Sequence, residues 1–231
     1  MHVYRFWLLL FCLITPALLL AQPHKTVKKR STHLSEQFDV LADNDTVRDG
    51  TYEKRSMHNR KLLETGQYKA NKRVGVWTFY GSDEQPELIY DYDARQVKSN
   101  TRIPSASSVA QVQEGDSIVT MVLDNGPVYL ASSPQIYGII ARTVRLPINL
   151  QRAGVNFLSF KVLATVSISG ARYRVIASNQ DKEFLKSCRE AVDLALKDVD
   201  WAPARYRDQP VTATYLFEEV VLQGYVVAQP R

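Results

Sequence analysis

Cysteine is nearly absent from the 231 residues: only Cys12 and Cys188 occur, one inside an apolar N-terminal run and one far downstream. No disulfide can form within the segment that follows the run, so its core must be sufficient without covalent staples. Histidine is scarce in the same way. The four His stand at positions 2, 24, 33 and 58, and none occurs beyond. A His-based catalytic triad or a His/Cys zinc site is thereby excluded from the C-terminal part. Glycine is sparse, and neither G-x-G-x-x-G nor G-x-x-x-x-G-K appears, which removes the common phosphate-cradling loops. The formal charge of +5 is modest, and no segment interleaves a Lys/Arg stripe with stacking aromatics, so nothing points to nucleic acid. Carboxylates are left: Asp198, Asp200, Glu218 and Glu219, each explained by a helix end or a solvent face. The residues point to no catalytic centre, cofactor or metal.

Long hydrophobic runs are also lacking, with one exception. "FWLLLFCLITPALLL" follows the single charge of "MHVYR" and leads to Ala21. Fifteen residues are too few to span a bilayer comfortably, Pro16 interrupts them, and the arrangement is that of a secretory signal peptide over residues 1–21. Leu19 is unusual two positions before the cut, which keeps an uncleaved inner-membrane anchor as the alternative; membrane contact is expected only in that case. No Cys follows the run at the cleavage position, so a lipoprotein is not expected. Localisation is then periplasmic or secreted. Residues 22–48 are polar, with Lys25, Lys28, Lys29 and Arg30 clustered, and read as a flexible basic spacer.

From 49 to 97 aromatic and polar residues alternate in short runs. A degenerate repeat of about 25 residues aligns Gly50-Thr51-Tyr52 with Gly75-Val76-Trp77 and Leu63 with Leu88. The pattern predicts short antiparallel strands in a meander. Residues 98–125 read as a Ser-, Ala- and Thr-rich linker that runs into a strand ending at the turn Asn125-Gly126. Residues 126–224 form the C-terminal domain, followed by a tail at 225–231. In it Ser133 is the expected N-cap and Pro134 the first residue of a helix with Ile136 and Ile140 on one face. "LSFKVLATVSI" alternates, with Leu158, Phe160, Val162, Ala164, Val166 and Ile168 pointing one way and Leu163 breaking the rule. "ARYRVIAS" makes the next strand, an amphipathic helix runs from about Asp181 to Val199 with Cys188 on its buried face, and a last strand covers Val211 to about Leu222. The fold class is α+β: an N-terminal antiparallel meander and a C-terminal three-stranded antiparallel sheet packed with two helices.

Two resemblances attach to these residues. "GQYKANKRVGVWTFY" (66–80) resembles the MORN-like repeats of exported bacterial proteins, which implies hairpins and no particular chemistry. The segment from about 127 to 222 resembles the TonB C-terminal domain. Its corner "RLPINLQRAGV" keeps Pro147 and Gly154, and the helix end "WAPARYRDQPV" keeps Trp201, Pro203, Pro210 and Val211. Leu146, Leu150 and Asp208 replace the usual Tyr, Ala and Gly. Pro147, Gly154, Trp201, Pro203 and Pro210 are expected to maintain the fold, with Trp201 plugging the core, Pro203 preventing the helix from resuming and Pro210 opening a strand. The resemblance implies a partner: an extended segment of an outer-membrane or other envelope protein, added as a strand along Val211, Thr212, Thr214 and Leu216. The same edge leaves a homodimer open. Glu218 and Glu219 offer the opposite reading, a guarded edge that binds nothing, which belongs to a structural protein of the periplasm or cell surface.

Overall fold

The computed structural model describes residues 23–102, 109–114 and 117–223, with backbone only for the strand residues up to 118 in the second of these stretches and the start of the third. The expected signal peptide and C-terminal tail lie outside the described residues. Among the described residues no helix is long and apolar enough to cross a membrane.

The chain is α+β, and its N-terminal side is a seven-stranded antiparallel meander in sequence order. The strands are β1 (His24–Arg30), β2 (Leu34–Leu41), β3 (Asn44–Ser56), β4 (Leu62–Lys69), β5 (Lys72–Tyr80), β6 (Pro86–Asp91) and β7 (Gln96–Asn100). The expected spacer at 22–48 is therefore corrected: it supplies β1, β2 and the start of β3. Its polar composition hid this because β1 is an edge strand, exposed along almost its whole length, and lysines on an edge are what guards it against pairing with another chain. Asp39 adds a side-chain anchor, accepting hydrogen bonds from Thr26 Oγ1 at 2.8 Å and Thr51 Oγ1 at 2.6 Å. The turn from β4 to β5 holds Ala70 and Asn71 at φ 49° and 66°, the two left-handed positions that a tight hairpin requires.

One face of the meander is an aromatic row. Phe38 pairs with Tyr52, Tyr52 with Gly66, and Trp77 with Tyr90. Rings of Tyr52 and Tyr68 lie 5.1 and 5.2 Å from Trp77, and the guanidinium groups of Arg48 and Arg73 stand 4.3 Å over Phe38 and Trp77. Beside it runs a charged row. Glu64, with no exposed surface, meets Lys54 Nζ at 2.7 Å and Arg73 Nη2 at 3.4 Å. Such partners offset the hydration that a carboxylate loses when it is buried this deeply.

Next come the hairpin β8 (Val109–Glu114) and β9 (Ser117–Val122), then β10 (Val128–Leu130), α1 (Ser133–Thr143), the five-residue α2 (Ile148–Arg152), β11 (Phe157–Ser167), β12 (Gly170–Ala177) and α3 (Lys182–Leu196). Five short strands finish the chain: β13 (Asp200–Ala202), β14 (Ala204–Tyr206), β15 (Gln209–Val211), β16 (Ala213–Leu216) and β17 (Val220–Gln223). In the second sheet β11 is central, with β12 on one side and β16 and β17 sharing the other, all antiparallel. Leu158, Phe160, Val162, Ala164 and Val166 are buried with Ile136, Ile140, Phe184, Cys188 and Val192 of α1 and α3. Leu163 is half-buried on the other face. Ile168 falls past the end of β11 and is 78% exposed, so it leaves the alternation expected of it. The last strand is not continuous over 211–222 but is divided among β15, β16 and β17.

Tight packing makes Gly66 the most sensitive glycine of the meander, since a Cβ there would lie 2.2 Å from Trp77 Cδ2. Gly66→Ala is expected to cost about 1–3 kcal/mol in urea unfolding, as over-packed cores do. An unchanged midpoint would mean that the indole does not rest on this backbone.

Candidate partner-binding edges

Trp201 lies on β13, whose partner is β10, with Tyr129 directly opposite. Its ring contacts those of Tyr129, Tyr173, Tyr215 and Phe217 at 5.6–6.4 Å, and its Nε1–H donates to Tyr173 Oη at 2.9 Å. Tyr173 and Tyr215 flank Ala164 across β12, β11 and β16, so the indole reaches across a row whose middle residue is small. It caps this row of the sheet. Pro203 follows β13 and sits well beyond the end of α3 at Leu196; its place is the step from β13 to β14, and helix termination is not its task. Pro210 lies in the middle of β15, exposed and opposite Arg205, in a two-stranded ribbon where one missing donor is tolerated. Between β14 and β15, Arg207 and Asp208 take φ 47° and 61°, the conformation that favours glycine or asparagine at such a turn.

Pro147 precedes the first turn of α2, and Gly154 closes it at φ 79°. Gly154 N–H donates to Gln151 O at 3.0 Å and Val155 N–H to Leu150 O at 2.9 Å. These two bonds make a Schellman ending, in which a left-handed residue satisfies the last carbonyls.

The expected binding residues do not form one edge. Val211 belongs to β15 and pairs with Ala204, and Thr212 lies between β15 and β16. Thr214 and Leu216 are exposed on β16, opposite Thr165 and Leu163 of β11. Phe217 N–H donates to Val162 O at 2.9 Å, which sets the phase of the ladder. Phe217, Tyr215 and Ala213 turn their backbone polar groups toward β11, and Leu216, Thr214 and Thr212 turn theirs away. The run is short. Leu163 faces Leu216 while Phe160 faces Val220, so one extra residue bulges out around Glu218 and Glu219. The Glu218 N–H is taken up by Tyr137 Oη at 3.1 Å, and Cα atoms of β8 come within 8 Å of β16.

The opposite edge escaped the sequence reading. β12 has the same alternation that any half-buried strand shows, and only the sheet order makes it an edge. Ser178 N–H donates to Ser159 O at 2.8 Å. By the same phase argument Ala171, Tyr173, Val175 and Ala177 direct their N–H and C=O groups outward.

Asp200 Oδ2 accepts from Tyr92 Oη at 3.3 Å and lies 3.8 Å from Arg73 Nη1, Asp198 is exposed at the end of α3, and the two glutamates mark the bulge. Among the described residues no group of three or more His, Cys, Asp or Glu stands close enough to hold a metal ion. Cys188 has no exposed surface, and burial pushes its thiol up to about 12. Alkylation at neutral pH, followed by mass spectrometry of the peptide carrying Cys188, is expected only after unfolding in urea. Labelling of the folded protein would place the thiol at the surface.

No family model, curated protein or solved structure matches this chain, so its functional reading rests on the residues and on the geometry of these edges.

Proposed function

We propose that the chain is an exported, non-enzymatic envelope protein whose C-terminal domain, similar in its motifs to the TonB C-terminal domain, binds an extended segment of an outer-membrane or other envelope protein by strand addition. The observation that carries this reading is the open sheet around β11, with outward-facing backbone groups at Thr212, Thr214 and Leu216 on one side and along β12 on the other. Main-chain hydrogen bonds at such an edge supply affinity, and alternate side chains supply selectivity. The aromatic meander, resembling MORN-like hairpins, acts as the base on which that sheet is presented.

A role in energy transduction is not favoured. Such a protein needs a membrane anchor and a long spacer, and residues 24–48 are taken up by strands rather than free to extend. A second reading, a structural protein of the periplasm or surface with guarded edges, draws support from the bulge at Glu218 and Glu219 and from β8 beside β16.

Photo-crosslinking separates the two. Probes at Thr212 and Thr214 on one edge and at Ala171 and Val175 on the other are expected to capture an extended segment of an envelope protein from one of the two edges. Capture only from the hairpin at 66–80 would favour the structural reading. The intact mass of protein recovered from the envelope of a Gram-negative host is expected to lack residues 1–21. Retention of the whole N-terminus would restore an inner-membrane anchor.

A further inference from the structure

A continuous groove runs along the β12 edge, between that strand and α3. Three adjoining clefts of about 630, 240 and 340 Å³ compose it. Tyr173 and Asp193 are shared by the first two, and Arg174, Val175 and Arg189 by the second and third. The groove therefore follows the strand from Ala171 to Ala177. On its strand side Tyr173 and Val175 are half-buried, and on its helix side Leu194 is 48% exposed, a large apolar residue that α3 leaves uncovered.

The edge itself is regular. Eight consecutive pairs join β12 to β11 without a register shift, whereas the β16 side is broken by its bulge. Four outward-facing residues spaced two apart span about 20 Å of strand. Among the described residues the outward backbone groups of Ala171, Tyr173 and Val175 have no hydrogen-bond partner.

Charge identifies the occupant. Arg172 and Arg174 are exposed on the face away from the helices, beside Thr165 and Leu163 of β11, and neither pairs with a carboxylate among the described residues. A strand added to this edge would place its own side chains directly beside theirs. For a second copy of this chain, two-fold antiparallel pairing centred on residue 172, 173 or 174 sets arginine against arginine, directly or at Arg172 against Arg174, and pairing centred on Val175 sets Arg174 beside Ile176, which leaves both arginines without a carboxylate. Like charges opposite each other destabilise a strand pair. The groove itself carries both signs, with Glu190, Asp193 and Lys197 at the end beside Ala171 and Tyr173 and Arg189 along the remainder. A groove of mixed charge favours no one sign, so the preference for acidic side chains comes from the outer face, where the two arginines stand without carboxylates.

We propose that the β12 edge and the groove against α3 bind an extended segment of a partner protein in which acidic residues, facing Arg172 and Arg174, alternate with apolar residues that enter the groove over Tyr173 and Val175. This inference rests on the strand-addition reading and moves its site from β16 to β12.

The test uses the purified full-length protein with two soluble heptapeptides, Glu-Val-Glu-Val-Glu-Val-Glu and Lys-Val-Lys-Val-Lys-Val-Lys, capped at both ends. Titration calorimetry is expected to show binding of the acidic peptide and at least tenfold weaker binding of the basic one. Hydrogen exchange is expected to slow at the amides of Tyr173 and Val175. Arg172→Glu with Arg174→Glu, on the solvent face, should invert the preference. Val175→Pro removes one outward donor without touching the β11 ladder and should weaken the acidic peptide about tenfold. Equal binding of both peptides, protection without any change in the Arg variant, or self-association through β12 would overturn the inference. Protection appearing at Thr214 and Leu216 would overturn it and leave strand addition standing. Protection at neither edge, together with no crosslink from either edge, would sink both.

Discussion

A ribbon of three residue pairs joins the two halves of this protein. β10 and β13 pair Val128 with Ala202, Tyr129 with Trp201 and Leu130 with Asp200. Successive side chains of a strand point to opposite faces, so Tyr129 and Trp201 enter the core between the second sheet and its helices, while Leu130 and Ala202 enter the aromatic core of the meander. Asp200, on the meander side, meets Arg73 and Tyr92. Both cores are thereby fastened to one backbone ladder, and a slip of one residue would exchange every contact between them.

Arg102 strengthens the same seam. Its guanidinium lies 4.0 Å over the Tyr129 ring, donates to Tyr129 O at 2.8 Å and to Ala131 O, and holds Glu87 at 2.8 Å. Glu87 in turn accepts the Ser133 N–H at 2.6 Å, at the start of α1. Ser132 Oγ donates to Tyr80 O at 2.7 Å. A charge this enclosed is held by several hydrogen bonds at once, and losing one partner would leave the others uncompensated. With the second sheet docked in this way, both of its edges stay away from the meander's core. One is interrupted by a bulge, a common means of discouraging edge pairing. The other is regular and runs beside an open groove.

Much of the C-terminal half is legible in its residues. The helix expected at Ser133-Pro134 is present, although Ser132 and not Ser133 is its N-cap and caps it with no side-chain hydrogen bond; the alternation at 158–166 marks β11, and the spacing from Phe184 to Ala195 marks the buried face of α3. Asp181 N-caps α3, accepting the Phe184 N–H at 2.9 Å. That bond, with a further one from Asn149, lowers its carboxyl below the usual range. The region at 24–48 is illegible for a definite reason. Its first strand, β1, is exposed at the edge, so it carries lysines where an interior strand would carry valines, and the composition reads as spacer. The bulge at Glu218 and Glu219 is equally silent, because a register shift is a relation between two strands.

Local chemistry along the chain determined the element types: strand periodicity, helix spacing and turn residues each act within a few positions. It also determined the scarcity of Cys and His, and with it which chemistries the C-terminal half can host. Which strands lie at the edge, which aromatic meets Trp201, and where the arginines of β12 stand relative to the carboxylates of α3 were decided by the tertiary structure alone. Those relations join residues far apart in the chain, and they are set by how two cores share one short ribbon.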